Sequence, residues 1–150
     1  MALLLLLLVP AAPVVALGLL GYGIGTLGRR GWNRNVAALL GAVAAGFHAW
    51  GLLHVAGAVV EAEDGGASSS PLPPCRTPGP QERAAKVVDY SVDYVPLRFV
   101  CETTGGGSYA AESVPGYVNP TVAGLVLASA VCAVVPALVS GRRAARSPAV

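Results

Sequence analysis

Three stretches of this chain contain no Asp, Glu, Lys or Arg: Met1–Gly28, Asn35–Val60 and Ser113–Gly141. They run for 28, 26 and 29 residues. A helix needs about 20 predominantly apolar residues to cross the hydrocarbon core of a bilayer, so each stretch is long enough to span. The 150-residue chain is only 12% charged, where soluble domains carry roughly a quarter. The pattern excludes a soluble enzyme, a nucleic-acid-binding domain and a disordered chain.

The first stretch reads as a retained helix, with a cleaved secretory signal as the rival. A signal peptide has a basic start, an apolar core of about 7–15 residues and a small-residue cleavage site. Here no Lys or Arg precedes Leu3, and the apolar run continues to Leu27. A cut after Ala12 would leave Pro13 at the new terminus. Arg29 and Arg30 follow the apolar run, so they do not form a twin-arginine signal.

Charge sets the expected topology. Cytoplasmic flanks of membrane helices are enriched in Lys and Arg. The link at residues 29–34 holds Arg29, Arg30 and Arg34, and the tail at 142–150 holds Arg142, Arg143 and Arg146, with no acid in either. All eight acids lie between Glu61 and Glu112, alongside Arg76, Arg83, Lys86 and Arg98, giving that region a formal charge of −4. Three spans put the link and the tail on one side, and both counts make it the cytoplasm. The N-terminus then starts outside, and residues 61–118 form an extracytoplasmic insertion. The net charge of +2 conceals this dipolar layout and gives no argument for nucleic acid.

Local signals place the helix ends. Asn35 suits the cap of the second helix and Asn119-Pro120 the start of the third, since Asn accepts a backbone N–H and Pro fits the first helical position. Gly141 suits the residue just past the third helix. Trp32 and Tyr117 fall at opposite water boundaries, where amphipathic rings are favoured. Pro10, Pro13 and Pro136 lie inside spans and are expected to bend them.

Helices in lipid associate by close packing of small residues. Gly18, Gly21, Gly25 and Gly28 share one stripe of the first helix, and Ala38, Gly41, Ala45, Ala49 and Ala56 form a similar one on the second. Packing of these helices within one chain is the favoured reading, and a dimerisation or partner-docking face is the other. His48 and His54 are six residues apart, about 120° around and about 9 Å along a helix, so they cannot share a metal ion. No metal or cofactor is expected. Neutral His48 is expected to hydrogen-bond inside the bundle, to Ser129 at a similar depth or to a backbone carbonyl, for about 1 kcal/mol. His54 reads as an interfacial side chain reaching the headgroups.

The insertion begins as a linker. Glu61 to Pro80 contains Gly65-Gly66, Ser68-Ser69-Ser70 and five prolines, a composition that cannot bury a core. From Val88 to Val95 apolar and polar residues alternate with the period of a half-buried strand. Pro96 interrupts it. Leu97 to Thr103 reads as a second strand, Gly105 to Gly107 as a turn, and Ser108 to Ala111 as a return strand. So small a sheet is marginal alone and needs a staple or a packing surface. Cys75 and Cys101 both fall outside, where disulfides persist, and Cys132 falls inside a span. A Cys75–Cys101 bridge is predicted, contributing about 3 kcal/mol in the loop-entropy model. Asp89 and Asp93 lie on one strand face about 13 Å apart, too far for a carboxylate dyad. No His is available in the insertion as a base for a Ser or Cys nucleophile.

The stretch Tyr94-Val95-Pro96-Leu97-Arg98-Phe99-Val100-Cys101, followed by the Gly-rich turn, Tyr109 and Pro115-Gly116-Tyr117-Val118-Asn119-Pro120, resembles uncharacterised small membrane proteins of high-GC actinobacteria. The resemblance covers residues 75–125 and implies a small multi-spanning inner-membrane protein, with no activity to transfer. The expected fold is membrane α-helical, with three transmembrane helices at 1–28, 35–60 and 119–141. A small disulfide-tied β-hairpin or meander is inserted between the second and third. The expected role is a non-enzymatic interaction or accessory subunit of the plasma membrane, held in the bilayer and meeting a membrane-protein partner or a second copy. The alternative is a small oligomeric transport or channel component.

Overall fold

The computed structural model describes residues 2–29, 31–64, 72–76 and 81–146. Helix α1 is Ala2–Gly25 and α2 is Trp32–Asp64. A 3-10 turn at Pro73–Cys75 and a short helix α3, Gln81–Ala84, lead into strands β1 (Val87–Tyr94), β2 (Leu97–Thr103) and β3 (Gly107–Ala110), and α4 is Val118–Arg146. Helices α1, α2 and α4 are long and apolar enough to cross a membrane. Gly65-Gly66, the serine run, Pro71, Pro78 and Pro80 of the expected linker lie outside the described residues, as does Arg30.

The chain divides into two compact units, one of Met1–Ala11 with His48–Asn119 and one of Ala12–Phe47 with Pro120–Val150. The first contains the sheet. Its strands are antiparallel in the order β1-β2-β3, with Val92 opposite Phe99 and Cys101 opposite Tyr109. Leu97, Phe99 and Cys101 lie on the inner face of the central strand, where all three are buried, and the alternation read from Val88 to Val95 puts Val92 on the same face, also buried. Val88 does not follow it. A register irregularity between Val87 and Asp89 leaves Val88 65% exposed, as a bulge does by adding an unpaired residue. Val95 and Pro96 form the tight β1–β2 connection, joined by a cis peptide bond. At the β2–β3 turn Gly105 and Gly106 take φ of 98° and 79°, a region glycine enters without steric penalty.

The surface that the sheet needs is the C-terminal part of α2. A Cβ placed on Gly51 would lie 2.6 Å from Leu97 Cδ2 and 2.9 Å from Val118 Cγ1. Only a residue without a side chain admits this approach. Twelve residues further along, Glu63 accepts a hydrogen bond from the Tyr90 hydroxyl. Between these contacts Leu52, Val55, Ala58, Val59 and Ala62 are buried. The expected linker therefore starts too early at Glu61. Helix α2 continues to Asp64 because Ala62 is part of this core and Glu63 is tied to the sheet.

Both asparagines read as helix caps do something else. Helix α4 begins at Val118, and the Asn119 side chain reaches the β2 backbone: Oδ1 accepts from Leu97 N–H at 2.9 Å and Nδ2 donates to Leu97 C=O at 3.0 Å. One amide thus satisfies both backbone groups of a buried residue beside the hairpin turn. Within the other unit Asn35 is 2% exposed. Its Oδ1 accepts from Thr26 Oγ1 at 2.8 Å, and its Nδ2 donates to Thr26 C=O at 3.2 Å. This clamps the turn between α1 and α2, and α2 starts earlier, at Trp32. Gly141 does not end α4, which runs to Arg146. An interior glycine costs only about 1 kcal/mol, and the Arg and Ala residues that follow are good helix formers.

Gly51→Val is expected to destabilise the protein by about 1–3 kcal/mol through overpacking. Asn119→Ala should cost more, about 1–3 kcal/mol for each of the two Leu97 backbone groups left unsatisfied. Thermal or denaturant unfolding in detergent measures both, and an unchanged Asn119→Ala variant would show that water takes over the amide's role.

Candidate functional site

The surface best placed to meet another molecule is the outer face of the sheet. The inner face is used on α2, so every second strand residue points away from it: Asp89, Ser91 and Asp93 from β1, Arg98, Val100 and Glu102 from β2, Ser108 and Ala110 from β3. Asp89, Asp93, Arg98 and Glu102 are all exposed. Asp93 pairs across the ladder with Arg98, a favourable combination, whereas Asp89 stands opposite Glu102. Like charges directly opposite are unfavourable, so this acid-rich face is better accommodated beside a cation. Asp89 also accepts a hydrogen bond from the Tyr90 N–H at 2.8 Å.

Fixation of this platform is local and redundant. Cys75 and Cys101 form the predicted disulfide, with Cα atoms 6.1 Å apart. It joins the 3-10 turn to the central strand, and both cysteines are buried. The Tyr109 hydroxyl donates to the Cys75 carbonyl at 2.8 Å, so β3 and β2 hold the same turn. Tyr90 stacks on Phe99 with ring centroids 5.0 Å apart. Burial first, then the hydrogen bond and charge of Glu63, and then the charge of Asp89, push the Tyr90 phenol up to about 12. Burial also raises Tyr109, against an opposing effect of Arg83.

Beside the platform a groove of about 390 Å³ is lined by Trp50, Leu53, His54, Gly57, Glu61 and Ser113, among others. The His54 ring meets Trp50 edge-on, with centroids 4.9 Å apart. Its Nε2 is buried without a hydrogen-bond partner. Among the described residues no group of three or more His, Cys, Asp or Glu side chains is placed to hold a metal ion.

The expected helix-packing residues fare unequally. Gly41 does pack, since an added Cβ would meet Leu19 at 3.4 Å and Ser129 Oγ at 3.6 Å. Ser129 does hydrogen-bond between helices, but it donates to the Ala37 carbonyl at 2.8 Å in place of the expected His48. A carbonyl has a second lone pair to offer without losing its helical bond. Ala45 and His48 are half-buried. Gly18, Gly21 and Gly25 have nothing within 4 Å of an added Cβ, and Gly28 sits in the turn after α1 with φ of 80°. The close approach on α1 is made by Gly23, where a Cβ would lie 2.9 Å from Leu39 Cδ2. Small-residue spacing identified a stripe and not the face that is used. Gly23 belongs to no GxxxG pair, so that pattern passes over it.

No protein-family model, no curated protein and no solved structure matches the chain.

The raised phenol makes a pH prediction. A folded-state pKa of about 12 against an ordinary 10.0 means that Tyr90 contributes stability fully below pH 10, and that this is lost as pH rises through about 12. Phenolate absorbance should show a component near pH 12 that disappears in Tyr90→Phe and moves to lower pH in Glu63→Gln. An unaltered titration curve in both variants would refute the assignment.

Proposed function

We propose that the chain is an integral membrane protein with three spans, its N-terminus outside and its C-terminus in the cytoplasm, acting as a non-enzymatic accessory or interaction subunit. The disulfide-tied sheet is the element it offers to a partner on the outer side. The observation that carries this reading is a sheet seated on α2 at Gly51, held by Asn119 of α4 and tied to the Pro73–Cys75 turn by Cys75–Cys101, while its outer face stays exposed. A preorganised face loses little conformational freedom on binding. Its acid excess favours a partner with a basic surface. The six arginines of the link and tail support the orientation through the positive-inside bias.

A second reading, an oligomeric transport or channel component, draws support from the open stripe of Gly18, Gly21 and Gly25. Small residues of this kind let helices of separate copies approach closely.

One experiment addresses both. A photo-crosslinking residue at Ser108, on the outer face, and another at Gly21 are introduced into separate full-length variants in native membranes. The accessory reading expects a discrete hetero-adduct from Ser108. Adducts of twice the chain's mass from Gly21, with none from Ser108, would favour the oligomer and remove the accessory role.

A further inference from the structure

One compact unit carries charge of a single sign, and that charge lies at the ends of its helices. The unit of Ala12–Phe47 with Pro120–Val150 holds Arg29, Arg30, Arg34, Arg142, Arg143 and Arg146, and no Asp or Glu. The chain's single lysine, Lys86, falls in the other unit. Arg29 and Arg34 are exposed, and with no acid in the unit they have no counter-ion within it. Their positive charge therefore calls for an anion from outside. Arginine favours one kind of anion in particular. Its planar guanidinium can donate two parallel hydrogen bonds to a phosphate, whereas a lysine ammonium acts as a point charge.

One rigid turn holds both arginines. Helices α1 and α2 lie antiparallel where they meet it, with Gly23 against Leu39 and Leu19 against Gly41. Gly28 leads the chain out of α1 with φ of 80°. The Thr26 carbonyl then accepts from Arg29 N–H at 3.1 Å and from the buried Asn35 Nδ2 at 3.2 Å. Arg34 N–H donates to the Gly31 carbonyl at 3.0 Å. The backbones of Arg29 and Arg34 are thus fixed beside the Thr26–Asn35 clamp. The same turn shows Trp32 and Leu27 to the outside, 73% and 49% exposed. Tryptophan is enriched at membrane–water interfaces. The turn also joins the end of one charge-free run, at Gly28, to the start of the next, at Asn35. On the three-span reading it lies where both helices leave the hydrocarbon, at the level of the lipid headgroups.

We infer that the α1–α2 turn is a binding site for anionic phospholipid. Arg29 and Arg34 hold headgroup phosphates, and Leu27 and Trp32 bed beside them in the upper part of the lipid layer. The inference rests on the membrane reading and adds to it a ligand on the side away from the sheet. A soluble phosphate would satisfy the arginines and leave Leu27 and Trp32 in water, whereas a lipid meets both. A lipid of net negative charge neutralises the arginine excess, while phosphatidylcholine brings a cation of its own. The clamp at Thr26 and Asn35 preorganises the turn, so little conformational freedom is lost on binding. Arg142, Arg143 and Arg146 fall on the same side in the three-span reading and strengthen the local attraction for anionic lipid.

Trp32 itself reports on the site. The full chain carrying Trp50→Phe, which leaves Trp32 as its single tryptophan, is reconstituted in phosphatidylcholine vesicles containing a minor fraction of phosphatidylglycerol. Acyl-chain bromines, which quench indole fluorescence on contact, are placed on one lipid or on an equal amount of the other. Brominated phosphatidylglycerol should quench Trp32 more strongly than brominated phosphatidylcholine. The preference should fall in Arg29→Gln and in Arg34→Gln, by up to about fivefold per arginine, and be absent in the double variant. Both positions are exposed, so unfolding midpoints in detergent should not move. The double Arg→Lys variant should keep part of the preference, since the charge stays and the bidentate contact goes. Equal quenching by the two lipids before any arginine is replaced would overturn the inference and leave the arginines to a soluble anion or an acidic protein. A preference undiminished in the double Gln variant would overturn it too, by placing the anionic lipid elsewhere. Failure of both brominated lipids to quench Trp32 would instead remove the membrane reading itself.

Discussion

The approach of Leu97 to the bare backbone of Gly51 is the contact on which the sheet unit depends. A three-stranded sheet of 8, 7 and 4 residues has too little area to hold itself together. It becomes stable by laying its inner face along a helix, and the hairpin end can do so only where the helix offers no side chain. Once Leu97 is there its backbone N–H and C=O are buried beside the turn, with no further strand to pair them. Asn119 supplies both partners from one amide. The disulfide and the Tyr109 bond then fasten the sheet to the turn at Pro73–Cys75, and Tyr90 stacks on Phe99 within it.

The same contact explains part of the apolar run of α2. Lipid and a protein core make similar demands on a side chain, since both exclude unpaired charge. Leu52, Val55, Ala58 and Val59 are buried in the stretch between Gly51 and Glu63 that carries the sheet. An apolar run of this kind therefore does not by itself tell lipid from protein core.

Much of the local structure was legible. The limits of β2 at Leu97–Thr103 and the pairing of Cys75 with Cys101 follow from strand period and from the redox logic of two cysteines outside a span. Gly105 and Gly106 announce their turn because few other residues take a positive φ. Side chains with two uses were misread. Asn35 and Asn119 stand where a cap is chemically sensible, yet an amide has two ends, and a tertiary partner able to use both outcompetes a single N–H. The close approach of α1 to α2 within the chain was missed for a related reason. Helical spacing reports which residues share a face, but Gly23 is chosen by Leu39 and Ala38 on another helix, which no pattern within α1 encodes. Val88 left its expected face through a bulge, a one-residue event with no signal in the alternation.

The central claim is that the sheet is seated on α2 where Leu97 meets the bare backbone of Gly51. Denaturant unfolding in detergent of Gly51→Val, Leu97→Ala and the double variant tests it directly as a double-mutant cycle. The account predicts that Gly51→Val destabilises the protein and that its penalty shrinks once Leu97 is shortened. A Gly51→Val penalty of zero, or one unchanged in the Leu97→Ala background, would contradict it.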